Sequence, residues 1–449
     1  MKILFRKKYL FLLPIIFFAL NGNNLYAEEA DSLIVKDSES IKIDSIRITG
    51  NDKTQEFVIL RELTFQPGDT VTGKILRFNK ERVFSLALFN RVNFIIHNEQ
   101  NKNILEIRLS ESWYIYPIPF LRANNGDFAK ATYGINLLYK NFRGRNENLR
   151  AMIGFGYDPT YSVLYNNPSL IFEDGIGLTF LASYTKFTNK SISAKKLTGE
   201  DFQYKIFSQS ISISKRFNPF NTGFVSLGFN YLENPFALKG ITASGGKNDR
   251  LLFGGVGYIY DSRDLKQFSE NGLYTLLTYY HKGFGINNIN YNEIELDFRE
   301  YRTLFEQLSG KWRIEYRTTF GNKIPYYDYS YLGFYERVRG HYRDIREGNN
   351  FLLTSFEVSY PIVKEWNLSL KLPLLPEKLT SARIGIYLTG FVDAGNTFNN
   401  GKPISINQFY SGYGFGLTFL FLPYSAIRFE YALNELGRGE FIVGIGFSF

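Results

Sequence analysis

Beyond residue 112 the chain falls into segments of about ten residues in which apolar and polar positions alternate, separated by Gly, Asn and Asp turns. A period of two puts successive side chains on opposite faces of a strand. Within residues 311–320, Trp312, Ile314, Tyr316 and Phe320 oppose Lys311, Arg313, Glu315 and Arg317. Within 175–184 the apolar set is Ile176, Leu178, Phe180 and Tyr184, and within 426–433 it is Ile427, Phe429, Tyr431 and Leu433 against Arg428 and Glu430. A soluble sandwich also alternates, but here one face is rich in aromatic rings and the other carries ions. Apolar outside and ionic inside is the order of a transmembrane barrel. Sixteen such segments are counted over residues 113–449, an even number suited to a single-chain barrel.

The pattern ahead of the barrel is different. Ile41-Lys42-Ile43 and Ile46-Arg47-Ile48 alternate as a strand, and Gly50-Asn51 mark a turn. Residues 54–63 and 72–89 have helical spacing, with Ile75, Leu76, Asn79, Val83 and Leu86 toward one face. Short strands follow at 91–96 and 104–109. The order β-α-α-β-β predicts a three-stranded sheet covered by two helices. Residues 28–40 are polar and read as a linker. Residues 1–27 read as a secretory signal peptide: Lys2, Arg6, Lys7 and Lys8 precede an apolar run over 9–20, and a polar stretch ends at Ala27.

Composition sharpens this picture. Mean hydropathy is slightly negative, and no run of about 18 apolar residues occurs past the amino terminus, which excludes helical membrane spans. Yet aromatic residues make up 17 % of the chain, with 43 Phe and 32 Tyr, more than a soluble core needs. A barrel with aromatic girdles accounts for both. Cysteine is absent, which excludes a lipid-anchoring cysteine and thiolate metal sites. The formal charge of +9 includes the four leader cations, and no concentrated basic patch points to nucleic acid. His97, His281 and His341 lack ligand spacing, so no metal is expected. Gly412, Gly414 and Gly416 alternate with Tyr413, Phe415 and Leu417 as small lumenal positions of a strand, not as a phosphate loop. No Gly-x-Ser-x-Gly nucleophile motif is present. Neither an enzyme nor a cofactor is expected.

Several short motifs are more specific. Ile48-Thr49-Gly50-Asn51 follows the first strand, and Asn141-Phe142-Arg143-Gly144-Arg145 and Asp261-Ser262-Arg263-Asp264 mark barrel turns. Val338-Arg339-Gly340-His341, Phe391-Val392-Asp393-Ala394-Gly395 and a closing Phe449 come after them. In this order they resemble the BamA-type outer-membrane assembly superfamily (the bacterial surface antigen family). The resemblance implies a mostly β chain: a sixteen-stranded antiparallel transmembrane β-barrel over 113–449, preceded by one small α+β POTRA domain over 41–112. It also implies a bacterial outer membrane with the POTRA domain in the periplasm.

Alternation predicts the environment of the two strongest motifs. Leu352, Thr354, Phe356, Val358 and Tyr360 face lipid, which turns Glu357 inward; Ile384, Ile386, Leu388 and Val392 do the same for Asp393. Arg339 lies in the longest polar connection, 321–350, and its planar fork suits two lumenal carboxylates. Gly340 allows the tight bend. The resemblance implies that this loop tip packs inside the barrel, with Arg339, Gly340, Glu357 and Asp393 as a lumenal clamp, Val338 and His341 completing the loop motif and Phe391 and Gly395 the strand motif. Such an ion pair either braces a hollow barrel or also serves as a dynamic gate. The family has Phe or Tyr after the Gly; here His341 and then Tyr342 stand there, and either ring suits the aromatic slot.

On the first barrel strand, Pro117 and Pro119 remove two N–H donors from one side. If that side meets the last strand, the closing seam is weak, and Gly437, Gly439, Gly444 and Gly446 add little packing; alternatively, the prolines mark the entry into the barrel. Phe441, Val443, Ile445, Phe447 and Phe449 are expected on one outward face. The leading functional expectation is assembly or insertion of outer-membrane proteins, with the POTRA domain catching unfolded chains by edge pairing. The alternatives are a secretion pore for one exported polypeptide, and a passive pore or lipid-handling barrel. The 13 residues of 28–40 leave no room for the plug helix of secretion members. An anchor and exporter for a hydrolase needs an upstream catalytic domain, which is not found. Expected partners are those polypeptides, outer-membrane lipids, and periplasmic or lipoprotein accessory subunits.

Overall fold

The computed structural model describes residues 25–28, 36–124, 127–334, 336–342, 344–371, 375–402 and 404–449. The expected signal peptide lies outside the described residues except at its end, where Leu25–Glu28 pairs antiparallel with residues 367–370. Most of the expected linker lies outside them as well.

The small domain contains β1 (Ser45–Thr49), α1 (Glu56–Leu60), α2 (Gly73–Phe84), β2 (Phe89–Glu99) and β3 (Lys102–Glu111). Strand β3 is central, parallel to β1 and antiparallel to β2. Val58, Ile59, Leu76, Val83, Leu105 and Ile107 are buried between helices and sheet. The Thr72 hydroxyl caps α2 by accepting the Ile75 N–H at 3.3 Å.

Two expectations need correction here. Residues 41–43 do not join β1; Ser40–Lys42 pairs with Thr70–Thr72 in a separate ribbon, because the Ile43 N–H turns away to the Asp69 carbonyl. The buried face of α2 is also rotated. Leu76, Asn79 and Val83 are buried, but Ile75 is exposed and Arg82 is almost fully buried in its place. The reason lies outside the helix: Arg82 donates to Glu62 Oε2 at 3.1 Å and to the Pro219 carbonyl, in a barrel turn, at 2.8 Å.

Among the described residues sixteen wall strands follow, β4 (Ile115–Asn124) through β19 (Gly439–Ile445), each antiparallel to the next, while 330–332 and 346–348 form a separate two-stranded ribbon in one connection. The strands that carry the site are β14 (Leu308–Asn322), β15 (Asn350–Leu370), β16 (Ser381–Phe398), β17 (Tyr410–Leu422) and β18 (Ser425–Asn434). Each strand from β14 to β19 pairs with the next, with register shifts on β15 between Pro361 and Trp366. On β15 and β16, Phe356, Tyr360, Leu388 and Val392 are exposed, whereas Glu357 and Asp393 are buried.

The POTRA-like domain packs directly against one end of the barrel. Its apolar core continues into Leu265, Phe268, Tyr387, Leu420 and Leu422 of the barrel. Turn motifs singled out in the sequence form the contact. Asn141 Nδ2 donates to Thr54 Oγ1 at 2.9 Å, the Gln55 N–H to the Gly144 carbonyl at 2.9 Å, and the Lys266 N–H to Ser85 Oγ at 2.9 Å. Two carboxylates complete it: half-buried Glu81 with Arg383 at 2.7 Å, and buried Glu62 with Arg216 at 2.7 Å and Arg82 at 3.1 Å.

Burial pushes the Glu62 carboxyl up, but Arg216, Lys266 and Arg82 outweigh it and hold the group at about 2, against an ordinary 4.5. The folded-state value therefore lies below the unfolded one. This contribution to docking is complete above about pH 4.5 and fades as the pH falls from there toward 2. Glu62→Gln is expected to remove that acid dependence and to weaken docking by about 3 kcal/mol, because Arg82 and Arg216 lose their shared partner. Hydrogen exchange in the 217–220 turn, followed against pH, checks this; identical profiles for the variant and the parent protein would exclude a role for Glu62.

Candidate functional site

Between β14 and β15 the connection folds back into the barrel and carries Arg339 to the lumenal faces of β15, β16 and β18. Arg339 Nε and Nη2 donate to the two oxygens of Asp393 at 2.7 and 2.8 Å, a bidentate fork. Its Nη1 donates to Glu357 Oε2 and to Glu430 Oε1, both at 3.0 Å. The Arg339 backbone N–H adds a bond to Asp393 Oδ2 at 3.1 Å. The guanidinium lies over the Phe391 ring, 3.6 Å from its centroid, so its apolar face is covered as well.

Charge is balanced within this cluster. Lys311 on β14 pairs with Glu357 at 2.8 Å, and Arg428 Nη1 with Glu430 at 3.3 Å. Glu357, Asp393 and Glu430 are almost fully buried, and groups so far from water stay ionised at low cost only when paired. Glu430 and Lys311 belong to the inward-facing sets visible in the sequence, but nothing in the pattern links them to the loop.

Backbone geometry lets the loop come this close. Gly340 has φ +96°, the left-handed region that favours glycine. A Cβ on Gly412 would lie 1.7 Å from the Arg339 carbonyl oxygen, so this strand position must be glycine for the loop to touch it. Val338 is buried with Leu332, Phe351 and Leu353, and a Cβ on Gly395 would lie 3.0 Å from Val338 Cγ2. The Gly340 N–H donates to Glu440 Oε1 at 2.8 Å. His341, not Tyr342, fills the aromatic slot: it stacks on Tyr410 at 4.2 Å and 6°, with its ring nitrogens 2.8 Å from Asp344 and 2.7 Å from Glu435. Tyr342 is exposed. Sequence periodicity carries no signal for Glu435 or Glu440, which lie on or beside the β18–β19 turn.

A second tether fixes the loop nearer its start. Asp328 accepts from Lys282 Nζ at 2.7 Å, Tyr291 Oη at 2.8 Å and Arg317 Nη2 at 3.0 Å.

Comparison with known families places this geometry. A model described as the Omp85 superfamily domain matches residues 141–449, and a POTRA model described as surface antigen variable number repeat matches residues 41–112. The chain belongs to the Omp85 superfamily. The resemblance read from the motifs therefore holds, and the protein is an outer-membrane barrel of a superfamily that serves assembly or secretion. Two solved structures are similar in fold. One is BamA from Haemophilus ducreyi lacking POTRA domains 1–3, with TM-score 0.53 and 16 % identity, covering 94 % of this chain and 89 % of that one. The other is CdiB from Escherichia coli, with TM-score 0.53 and 10 % identity, covering 90 % and 75 %. No curated protein matches the chain.

The remaining expected residues lie elsewhere. Pro117 and Pro119 are on β4, opposite Leu137 and Ile135 of the next strand, β5 (Asp127–Phe142). Gly444 lies against the Arg428 guanidinium, where a Cβ would be 2.9 Å from Nη2. The single outward face expected for Phe441 through Phe449 is incorrect. Phe441, Val443 and Ile445 are exposed, but β19 ends at Ile445. Phe447 packs on the inner apolar cluster and Phe449 lies beside Lys311. The bend at Gly446, with φ +108°, breaks the alternation.

Arg339→Ala leaves three buried carboxylates without their shared cation, and is expected to cost about 3–5 kcal/mol of stability. Thermal unfolding, read by heat-dependent gel migration, measures the loss. Arg339→Lys keeps the charge but not the fork, and an intermediate loss is expected. Gly412→Ala retains every charged group yet should displace the loop, which protease sensitivity at residues 336–342 would reveal; a loop as resistant as in the parent protein would show that the contact is dispensable.

Proposed function

We propose that the protein is an outer-membrane assembly factor that inserts other barrel proteins, with its POTRA domain facing the periplasm. The observation that supports this most is the inward turn after β19. Ser448 bonds to Lys311 and Glu357 on the lumenal face of β14 and β15 and Phe449 lies beside Lys311, instead of extending the wall, so β19 is short. Strand β4 contributes Pro117 and Pro119, which donate no backbone hydrogen bonds. A strand edge without a long partner is a template for strand addition, which an unfolded outer-membrane protein would need. The Arg339 loop in the lumen and the POTRA domain packed at one end favour handling of chains over steady conduction by a passive pore. The POTRA domain would receive unfolded polypeptides by edge pairing, with lipids around the seam and periplasmic or lipoprotein subunits on the POTRA surface.

The second reading is a secretion pore for one partner polypeptide; the fold likeness extends equally to CdiB and BamA. Depletion of the protein followed by a quantitative census of the outer membrane separates the two. Loss of many different barrel proteins is the expected result. Loss of a single exported product would favour secretion, and an unchanged census would refute the assembly reading.

A further inference from the structure

The residues after β19 leave the barrel wall and dock on a specific pair of lumenal side chains. The Gly446 N–H donates back to the Ala426 carbonyl at 2.8 Å, and Phe447 packs on the cluster containing Phe268, Tyr387 and Leu420. Ser448 is thereby carried across the inner faces of β18, β17 and β16 to reach β15 and β14. There it is buried. Its hydroxyl donates to Glu357 Oε1 at 3.1 Å, and Lys311 Nζ donates to its carbonyl oxygen at 3.2 Å and also contacts its Oγ. The Phe449 ring lies 4.8 Å from the same ammonium.

Lys311 and Glu357 are direct cross-strand partners, and they already satisfy each other's charge. What they offer the segment is their spare hydrogen-bonding capacity: the remaining ammonium protons and the second lone pair on Oε1. The other oxygen of Glu357, Oε2, holds Arg339. One carboxylate therefore binds the loop through one oxygen and the segment through the other. Among the described residues, no hydrogen bond or ion pair joins Arg339 directly to 446–449. A cavity of about 590 Å³ adjoins both, bounded by Arg299, Arg313, Arg337 and Arg428, so the segment has room to move.

We propose that Lys311 and Glu357 form an intramolecular binding site for residues 446–449, and that Glu357 couples docking of this segment to docking of the Arg339 loop. When Arg339 holds Oε2, the carboxylate is locked with Oε1 turned toward Ser448 and Lys311. When Arg339 leaves, the carboxylate regains its rotamers and the Lys311 ammonium turns toward the vacated oxygen, away from the Ser448 carbonyl. Release of the loop thus frees the segment, and release of the segment loosens the loop, since such coupling is reciprocal. This holds whichever polypeptide the barrel handles.

Hydrogen exchange on the full chain in detergent tests the coupling at both ends. Arg339→Gln is expected to speed exchange of the 446–449 amides about tenfold although it touches none of them. Lys311→Met is expected to do the same for the 336–342 amides. Ser448→Ala alters no charge and should loosen the segment and, more weakly, the loop, which guards against misfolding of the charge variants. Unchanged or slower exchange at 446–449 in Arg339→Gln would overturn the coupling. Exchange at 446–449 in the parent protein as fast as in an unstructured peptide would overturn the binding site itself.

Discussion

Three buried carboxylates projecting from β15, β16 and β18 into one lumen are the constraint around which this barrel is organised. Strand geometry turns Glu357, Asp393 and Glu430 inward, and burial makes their mutual repulsion and lost hydration costly unless cations meet them. Lys311 and Arg428 supply two from the wall. The third comes from outside the wall, on a loop long enough to fold back through the mouth. Much of the local architecture serves its arrival. Gly412 allows the backbone to pass, Phe391 supplies a ring beneath the guanidinium, His341 stacks on Tyr410 behind it, and Asp328 holds the start of the loop. A bidentate fork needs orientation as well as charge, which explains why so many neutral contacts surround one ion cluster.

The same logic operates where the POTRA domain meets the barrel. Glu62 and Glu81 leave their own domain's surface to meet Arg216 and Arg383, and the apolar core runs on beneath them into Phe268 and Leu420. A charge-matched contact over a continuous apolar surface makes a defined seat, while its ionic part remains sensitive to acid. The barrel is therefore engaged at two levels, by its own loop and last residues inside and by the POTRA domain at one end. Both arrangements rest on ion pairs between arginines and acids from different elements, so movement of one element alters the partners of another.

Legibility differed between levels for physical reasons. Alternation along 311–320 and 350–360 reports the faces of these strands because a strand in a barrel wall has one environment per face, and the period of two records it directly. Glu357 and Asp393 follow from this period, whereas Arg339 is singled out among the arginines of its loop by the motif resemblance, with which the loop's length and the planar fork agree. Helical spacing misplaces Ile75 and Arg82 on α2 because Arg82 answers to Glu62 and a barrel turn, neither of which leaves a mark on that spacing. Alternation misplaces Phe447 and Phe449 because Gly446 bends the chain within a run whose spacing otherwise continues the period.

The amino-acid sequence by itself determined the class of fold, the number of barrel strands, the side each strand residue faces and the family, since all of these follow from local periodicity and short motifs. Only the tertiary structure decided which inward residues meet. Glu430, Glu440 and Ser448 are distant from Arg339 and Glu357 along the chain, and strand tilt, loop path and a single bend at Gly446 bring them together. The opening pattern of alternating residues supplies the carboxylates; the path of the chain through the lumen decides what neutralises them.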